Sequence, residues 1–421
     1  MSISSRSNDF ELQGLSDKRL QPHVSHNLIA LDLLSRGNEV QTAANRQTLE
    51  TLPQLSIEGE KGESKKFLSE QKSEGTGNQS KGESEEDKIA GTQRNVSDSI
   101  GKISPQTAAL FDKYSKQFAD RAVAQGIKTD EQLKVYKSLE QMVQAPDNSG
   151  AKMSLVNRAM VALDFMYHAA DPSTIDQGIH DTCSVSTIEE QMFVRQPSKV
   201  ADLVAQVLLK GNWRAGDGKT IEIDEGSLVP GTEESSHPPT DGQRSLVSQI
   251  FQVTVLNDIA QRGELGGYLG QSVRYCENDG HSFVQLSKDR PAGEFLGISD
   301  DVMQAELSRL SSEKFPSVFI NSERDHGTFR DVSHFNSPEQ FQVGLSKMKA
   351  ENELPAIIGV YSNLPPFSDP GGGGHVLCIT DIRKDADGSY KVFVDNQWGK
   401  VGAGSDGWYA LNDIFNATKR S

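Results

Sequence analysis

Cysteine is scarce in this chain: three residues in 421, Cys183, Cys276 and Cys378, all set far apart. That scarcity excludes a disulfide framework and a paired C-x-x-C metal site, and no cofactor motif takes their place. Long apolar runs are also missing. No stretch approaches the roughly 18 residues of a membrane-spanning helix, and the opening MSISSRSNDFELQGLSDKRL lacks the apolar region of a secretory signal. A soluble chain is expected, cytoplasmic unless exported by a leaderless route. Basic residues are outnumbered, 43 Lys and Arg against 59 Asp and Glu, for a formal charge of −16. Nucleic acids and anionic membranes both require clustered cations, so neither is an expected partner. Hydrophobic residues make up only 35% of the chain, which points to a part that does not fold.

That part is readily placed. Glu58 to Gly91 is rich in Glu, Lys, Ser and Gly, with Phe67 its single aromatic. Such a segment buries too little apolar area to offset its ordering entropy. Residues 1–104 are therefore read as a disordered low-complexity tail, with at most a short amphipathic helix near Leu28 to Leu34. At Ser104-Pro105 a cap is followed by proline, which opens a helix. Leu110, Phe111, Tyr114 and Phe118 continue it at helical spacing. Further helices are predicted across Thr129 to Val143 and Met153 to His168, so residues 105–172 form a helical block that stops at Asp171-Pro172.

Residues 173–421 have mixed character. Helices are predicted at Cys183 to Val194, Pro197 to Leu209, Gln243 to Arg262, Asp300 to Ser312 and Pro338 to Ala350. Strands are predicted at Ala356 to Tyr361, His375 to Ile382 and Tyr390 to Asp395, the last two joined through a hairpin signal at Asp387-Gly388. The fold class is α+β, with helices first and the sheet last.

Three short segments carry chemistry. In Gln177-Gly178-Ile-His180-Asp181-Thr182-Cys183 the thiol opens a helix, where unpaired amides and the dipole favour thiolate. A glutamine amide with the Cys183 N–H can form an oxyanion hole. The plainer reading of Cys183 is a small apolar residue at a helix start. In Gly371-Gly-Gly-Gly374-His375 an imidazole opens an apolar strand beside backbone left open for a peptide; the alternative is a flexible loop and an edge histidine. Cys378, an odd number of steps from His375, faces the other side of the strand as core. In Asp395-Asn396-Gln397-Trp398-Gly399 an Asn or Asp can accept the imidazole N–H and hold the ring, under cover of Trp398. Neighbours on a strand face opposite ways, so only one of Asp395 and Asn396 can meet His375.

Other groupings are weaker. His326 and His334, near Asp325 and Asp331, read as a solvated loop. Cys276 and His281 are half of a zinc pattern with no second pair. His180 reads as part of a surface turn.

In combination and order the three segments resemble the papain-like cysteine peptidases. That family has a Gln-Gly pair with the Gln six residues before the nucleophile, a Gly-His pair opening a later strand, and an Asn-Ser-Trp-Gly segment. Gln177, Gly178 and Cys183 match the first, Gly374-His375 the second, and Asn396-Gln397-Trp398-Gly399 the third. The resemblance implies Cys183 as nucleophile, His375 as base and acid, Asn396 as its orienting residue and Gln177 as oxyanion donor. Trp398 and Gly374 would shape the site. It also implies a helical subdomain carrying the Cys helix, packed against an antiparallel sheet or half-barrel carrying His and Asn. A protein or peptide substrate and no metal or other cofactor follow from the same likeness, while the oligomeric state is not indicated. The chain departs from the family around the nucleophile, Asp181-Thr182-Cys183-Ser184 replacing a Cys-Gly-Ser run before the Cys and a Trp after it. Gly211 to Phe295 also contains apparent insertions.

The expected activity is thiol-dependent hydrolysis of peptide or isopeptide bonds. Transglutaminase-like or deamidase chemistry, with Asp395 as third member, is the alternative on the same fold. A non-catalytic interaction protein on a degenerate scaffold is the remaining reading.

Overall fold

The computed structural model describes residues 84–278, 281–287, 290–295, 297–311, 318–321, 333–369, 372–400 and 404–419. Its first helix, α1 (Glu85–Gly101), begins where Ser84 Oγ accepts the Asp87 N–H (3.1 Å), with three acidic residues in its first turn. Then come α2 (Pro105–Gln125), α3 (Thr129–Gln144) and α4 (Leu155–Ala170). Ser104 caps α2 by accepting the Thr107 N–H at 3.2 Å, and Gly126, left-handed at φ 71°, ends it. Next are α5 (Cys183–Arg195), α6 (Pro197–Lys210), the hairpin β1 (Asn212–Arg214) and β2 (Thr220–Glu222), and α7 (Leu246–Gln261). A three-stranded antiparallel sheet follows: β3 (Arg274–Asn278), β4 (His281–Ser287) and β5 (Arg290–Glu294). The last part holds α8 (Asp300–Leu310), β6 (Val318–Asn321), β7 (Ser333–Phe335), α9 (Pro338–Ala350), β8 (Ala356–Tyr361), β9 (Gly374–Lys384), β10 (Tyr390–Asp395), β11 (Gly407–Ala410) and α10 (Leu411–Ala417).

The chain is thus mixed α+β, and two apolar cores organise it. The first runs from Val96 of α1 through α2–α7 to Met303 and Leu307 of α8, and touches the large sheet at Ile357, Val376 and Cys378. At its centre α7 is buried from Leu246 to Ala260, all round the helix. The second core lies between the other sheet face (Ile358, Val360, Leu377, Ile379, Val392, Val394) and α9 and α10, through Phe341, Leu345 and Ile414. Strand alternation explains the division: Val376 and Cys378 face the helical core, Leu377 and Ile379 the other.

Two features differ from the sequence reading, and the packing of the helical block adds to it. The stretch assigned to the tail includes α1, whose Val96 and Ile100 are fully buried; its few apolar residues suffice because they share one face and α3 covers it. The expected helix near Leu28 to Leu34 lies outside the described residues. The helical block before residue 172 has no core of its own, since Phe165 of α4 packs on Phe193 of α5 at 4.9 Å and both belong to the first core. The six-stranded sheet, in the order β11-β10-β9-β8-β6-β7, is not wholly antiparallel: β6 runs parallel to both β7 and β8. The strands nearest His375 and Asn396 are antiparallel, and Gly388 (φ 89°) turns the predicted hairpin. No helix among the described residues is long and apolar enough to cross a membrane.

Candidate active site

Cys183 is the first residue of α5, and its approach is held from below. Buried Thr182 donates its hydroxyl to Gln252 Oε1 of α7 (2.7 Å), and Gln252 donates to Glu189 of α5 (3.0 Å). The backbone N–H groups of Val376 and Ser184 lie near enough to the Cys183 sulfur to favour its thiolate. Val376 follows His375, so the thiol of α5 lies against the opening of β9. Burial pushes the thiol up to about 11, against the pull of those amides.

The imidazole is oriented by a chain of assignable bonds. Asn396 Nδ2 donates to the Gly404 carbonyl, and the Asn396 N–H donates to Asp406 (2.8 Å). Its Oδ1 is thereby turned to His375 Nε2 at 2.7 Å. An amide oxygen only accepts, so Nε2 carries the proton and Nδ1 keeps its lone pair. Trp398 stacks on the ring, centroids 4.2 Å apart and planes at 23°. Burial takes the imidazole down to about 4, partly offset by Asn396 and Asp369. Environment thus disfavours either charge alone; moving a proton from sulfur to ring creates two opposite charges together.

Asp395 does not reach His375. It pairs with Cys378 across the ladder and lies on the face under α5, where Glu190 approaches. Burial, then the Glu190 charge, hold Asp395 well above the usual carboxylate range. Burial likewise pushes Glu190 up to about 8, although Cys378 and Gln397 donate to it, the latter at 3.0 Å. A carboxyl so placed cannot orient the imidazole.

Gln177 is buried, and its Nε2 donates to the His180 carbonyl at 2.7 Å. That bond uses one of two amide hydrogens and leaves the second for an incoming oxygen. Its own N–H donates to the Gln397 carbonyl (2.8 Å), tying the Gln177 turn to the Asn396–Gly399 turn. Gly178 has φ 62°, and a Cβ there would meet the Glu233 carboxylate and, at 3.0 Å, the Arg244 backbone nitrogen. Gly399, at φ 94°, is equally constrained: a Cβ would come within 2.7 Å of the Gly242 backbone. Gly374 differs, since a Cβ there would meet nothing within 4 Å. The backbone before His375 is open, and glycine there is not demanded by the fold.

His180 is no surface turn. It is 4% exposed and lies with Glu234, Arg244 and Glu277 in a buried charge cluster. His180, Glu233 and Glu234 come close enough together to share a cation. The Arg244 guanidinium already stands there as the cation, 2.8 Å from Glu234 and 3.0 Å from His180 Nε2. Sequence reasoning missed this cluster because its members are far apart in the chain. Cys276 is buried on β3 and His281 exposed on β4. His334 is exposed on β7, while Asp325, His326 and Asp331 lie outside the described residues.

Comparison of the chain with known protein families, with curated proteins and with solved structures finds no match.

Proposed function

We propose that this protein is a thiol-dependent hydrolase of peptide or isopeptide bonds, in the manner of the papain-like peptidases. The observation that carries the reading is the His375 Nε2–Asn396 Oδ1 bond of 2.7 Å, with the thiol of Cys183 near the N–H of the next residue, Val376. It leaves Nδ1 as the base, one residue before Val376, whose N–H neighbours the sulfur. The sulfur attacks the substrate carbonyl carbon while His375 Nδ1 takes the thiol proton. The oxyanion is met by the N–H of Cys183, at a helix start where amides lack intrahelical partners, and by the second Gln177 hydrogen. His375 returns the proton to the leaving amine, giving a thioester. Water then attacks, losing a proton to Nδ1, and the carboxylic acid leaves as the thiol re-forms. The placement of Asp395 under α5 counts against the transglutaminase-like alternative. The His375–Asn396 bond and the tie between the Gln177 turn and Gln397 count against a degenerate scaffold.

The test is treatment with iodoacetamide at neutral pH, followed by mapping of the modified residue. Modification of Cys183 faster than of an unstructured cysteine peptide is expected. A Cys183 slower than such a peptide would sink the proposal.

A further inference from the structure

The hydrolase reading leaves one conspicuous group unused: the charge cluster around Arg244. Arg244 is fully buried. Its Nε donates to Glu234 (2.9 Å), and its two terminal nitrogens donate to the oxygens of Glu277 (3.1 and 2.7 Å). Nη2 also points at His180 Nε2 (3.0 Å), which must therefore be unprotonated and accept. Tyr275 donates to Glu277 at 2.5 Å, and Ser227 Oγ accepts the Glu277 N–H. Burying such an ensemble is costly, and apolar replacements commonly serve stability as well or better. An ensemble this costly asks for a use.

The connections supply one. The His180 ring is gripped by Arg244, and the His180 carbonyl holds both the Gln177 side-chain amide (2.7 Å) and the Thr182 N–H (2.8 Å). Glu233, next to Glu234, accepts the Ile179 N–H at 3.1 Å. The turn from Gln177 to Cys183 has no strand partner, so these contacts replace a ladder. The segment that carries Glu233, Glu234 and Arg244 also braces the other half of the site. Asp241 accepts the Lys400 N–H (3.1 Å), and Gly242 packs against Gly399. What reads in sequence as an insertion between Cys183 and the sheet is a strut between the two catalytic turns.

We infer that Arg244, with Glu234, Glu277 and His180, is a positioning cluster that aims the Gln177 amide at the oxyanion. This rests on the hydrolase reading, with Cys183 as nucleophile. The cluster touches no reacting atom and acts through the His180 carbonyl.

Two reagents separate its role from general support. Acylation by p-nitrophenyl acetate passes through an oxyanion; alkylation by iodoacetamide is a displacement at saturated carbon and does not. The triple variant Arg244→Met/Glu234→Gln/Glu277→Gln removes the buried charges together, which avoids stranding any one of them. We expect its acylation burst to fall about 10- to 100-fold, against the 10²–10³ typical for loss of a whole oxyanion donor. Alkylation of Cys183 should stay within about twofold, since the sulfur keeps its helix-start amides. Gln177→Ala should show the same split, and adding it to the triple variant should cost nothing further, because both act through one amide. Should the triple variant fail to fold, Arg244→Lys, which keeps the charge and loses the fork, is measured in its place with a smaller split expected. Equal losses in both reactions, or losses that multiply with Gln177→Ala, would overturn the positioning role. A native chain that neither acylates nor alkylates at Cys183 would instead overturn the hydrolase reading and this inference with it.

Discussion

Cys183 and His375 reach the site on supports of different kinds. His375 takes its place from β9, paired with Val360 on β8, so its backbone is fixed by ladder bonds and Asn396 need only set the ring. Around it the structure is open: Gly373 and Gly374 are exposed and a Cβ at either would meet nothing. Cys183 follows a turn with no ladder, and Gly178 in that turn is crowded by Glu233 and Arg244. Irregular backbone can be held to catalytic tolerance only by side chains brought from elsewhere, here buried charges and Gln252. The strand half thus leaves bare backbone at Gly373 and Gly374, while the turn half, with Ile179 and Asp181 exposed, is held from beneath by buried side chains.

The sharpest way to probe this comparison is to remove the imidazole. Burial pushes the thiol up even in the native chain, so without the imidazole to take its proton the sulfur has no route to the thiolate at neutral pH. His375→Ala should slow alkylation of Cys183 at pH 7 by about 10²–10³-fold. The rate should recover about tenfold per pH unit toward pH 10, which a time course of modified mass would follow. A variant as reactive as the native chain would mean that the two halves do not communicate.

Asn396→Ala should come next, slowing acylation by about 10- to 100-fold while the thiol stays reactive to iodoacetamide, because the ring remains but its tautomer is no longer imposed. Asp395→Asn should change acylation by less than about threefold. The opposite ranking would restore Asp395 as the orienting residue.

Gly399→Ala tests the contact between the strut and the strand half. A side chain at φ 94°, within 2.7 Å of Gly242, should destabilise the protein by about 1–3 kcal/mol. Denaturant melting would measure it, and an unchanged midpoint would show that the two turns yield easily.

The smallest expected effect is on pH dependence. Burial raises Glu190 and Glu306 to about 8 and Glu189 and Asp176 to about 7. The folded chain then holds protons that the unfolded chain has released, so stability falls as pH rises through these values. His375 and His168, lowered to about 4 and 3, act oppositely but only below their ordinary value of 6.5. Between pH 6.5 and 8 the acids are joined, in the same direction, by His237, which burial lowers but the Asp164 charge and hydrogen bond raise on balance. The melting temperature should drop by a few degrees over that interval, and less in Glu190→Gln. A native curve that is flat there, or rises, would contradict the buried-acid account.

Helix positions were legible because their signals are local. Pro338–Ala350 was read to the residue, with Ser337 capping the Gln340 N–H and proline at the first turn. Cys183–Arg195 ends one residue past the reading. The helix at Glu85–Gly101 was not legible, since Val96 and Ile100 are too sparse to outweigh its charged composition until α3 covers them. The sheet β3-β4-β5 was missed for a similar reason: only some of its residues are apolar, and partner strands supply the rest of the definition. At the site, the residue types and their order were readable, and strand alternation stated that only one of Asp395 and Asn396 could face His375.

By itself the sequence determined which groups are available: one thiol at a helix start, one imidazole opening a strand, one amide beyond its hairpin partner, and the glycines whose conformation allows tight turns. Those follow from cap chemistry, period and turn geometry, which act over a few residues. Only the tertiary structure decided that Asp395 goes under α5 with Glu190, that Asn396 is turned by Gly404, and that Arg244 meets His180, Glu234 and Glu277. Each is a matter of burial. A charge or amide taken out of water must find its partners wherever the packed chain brings them, and His180 and Glu277 are 97 positions apart (277 − 180).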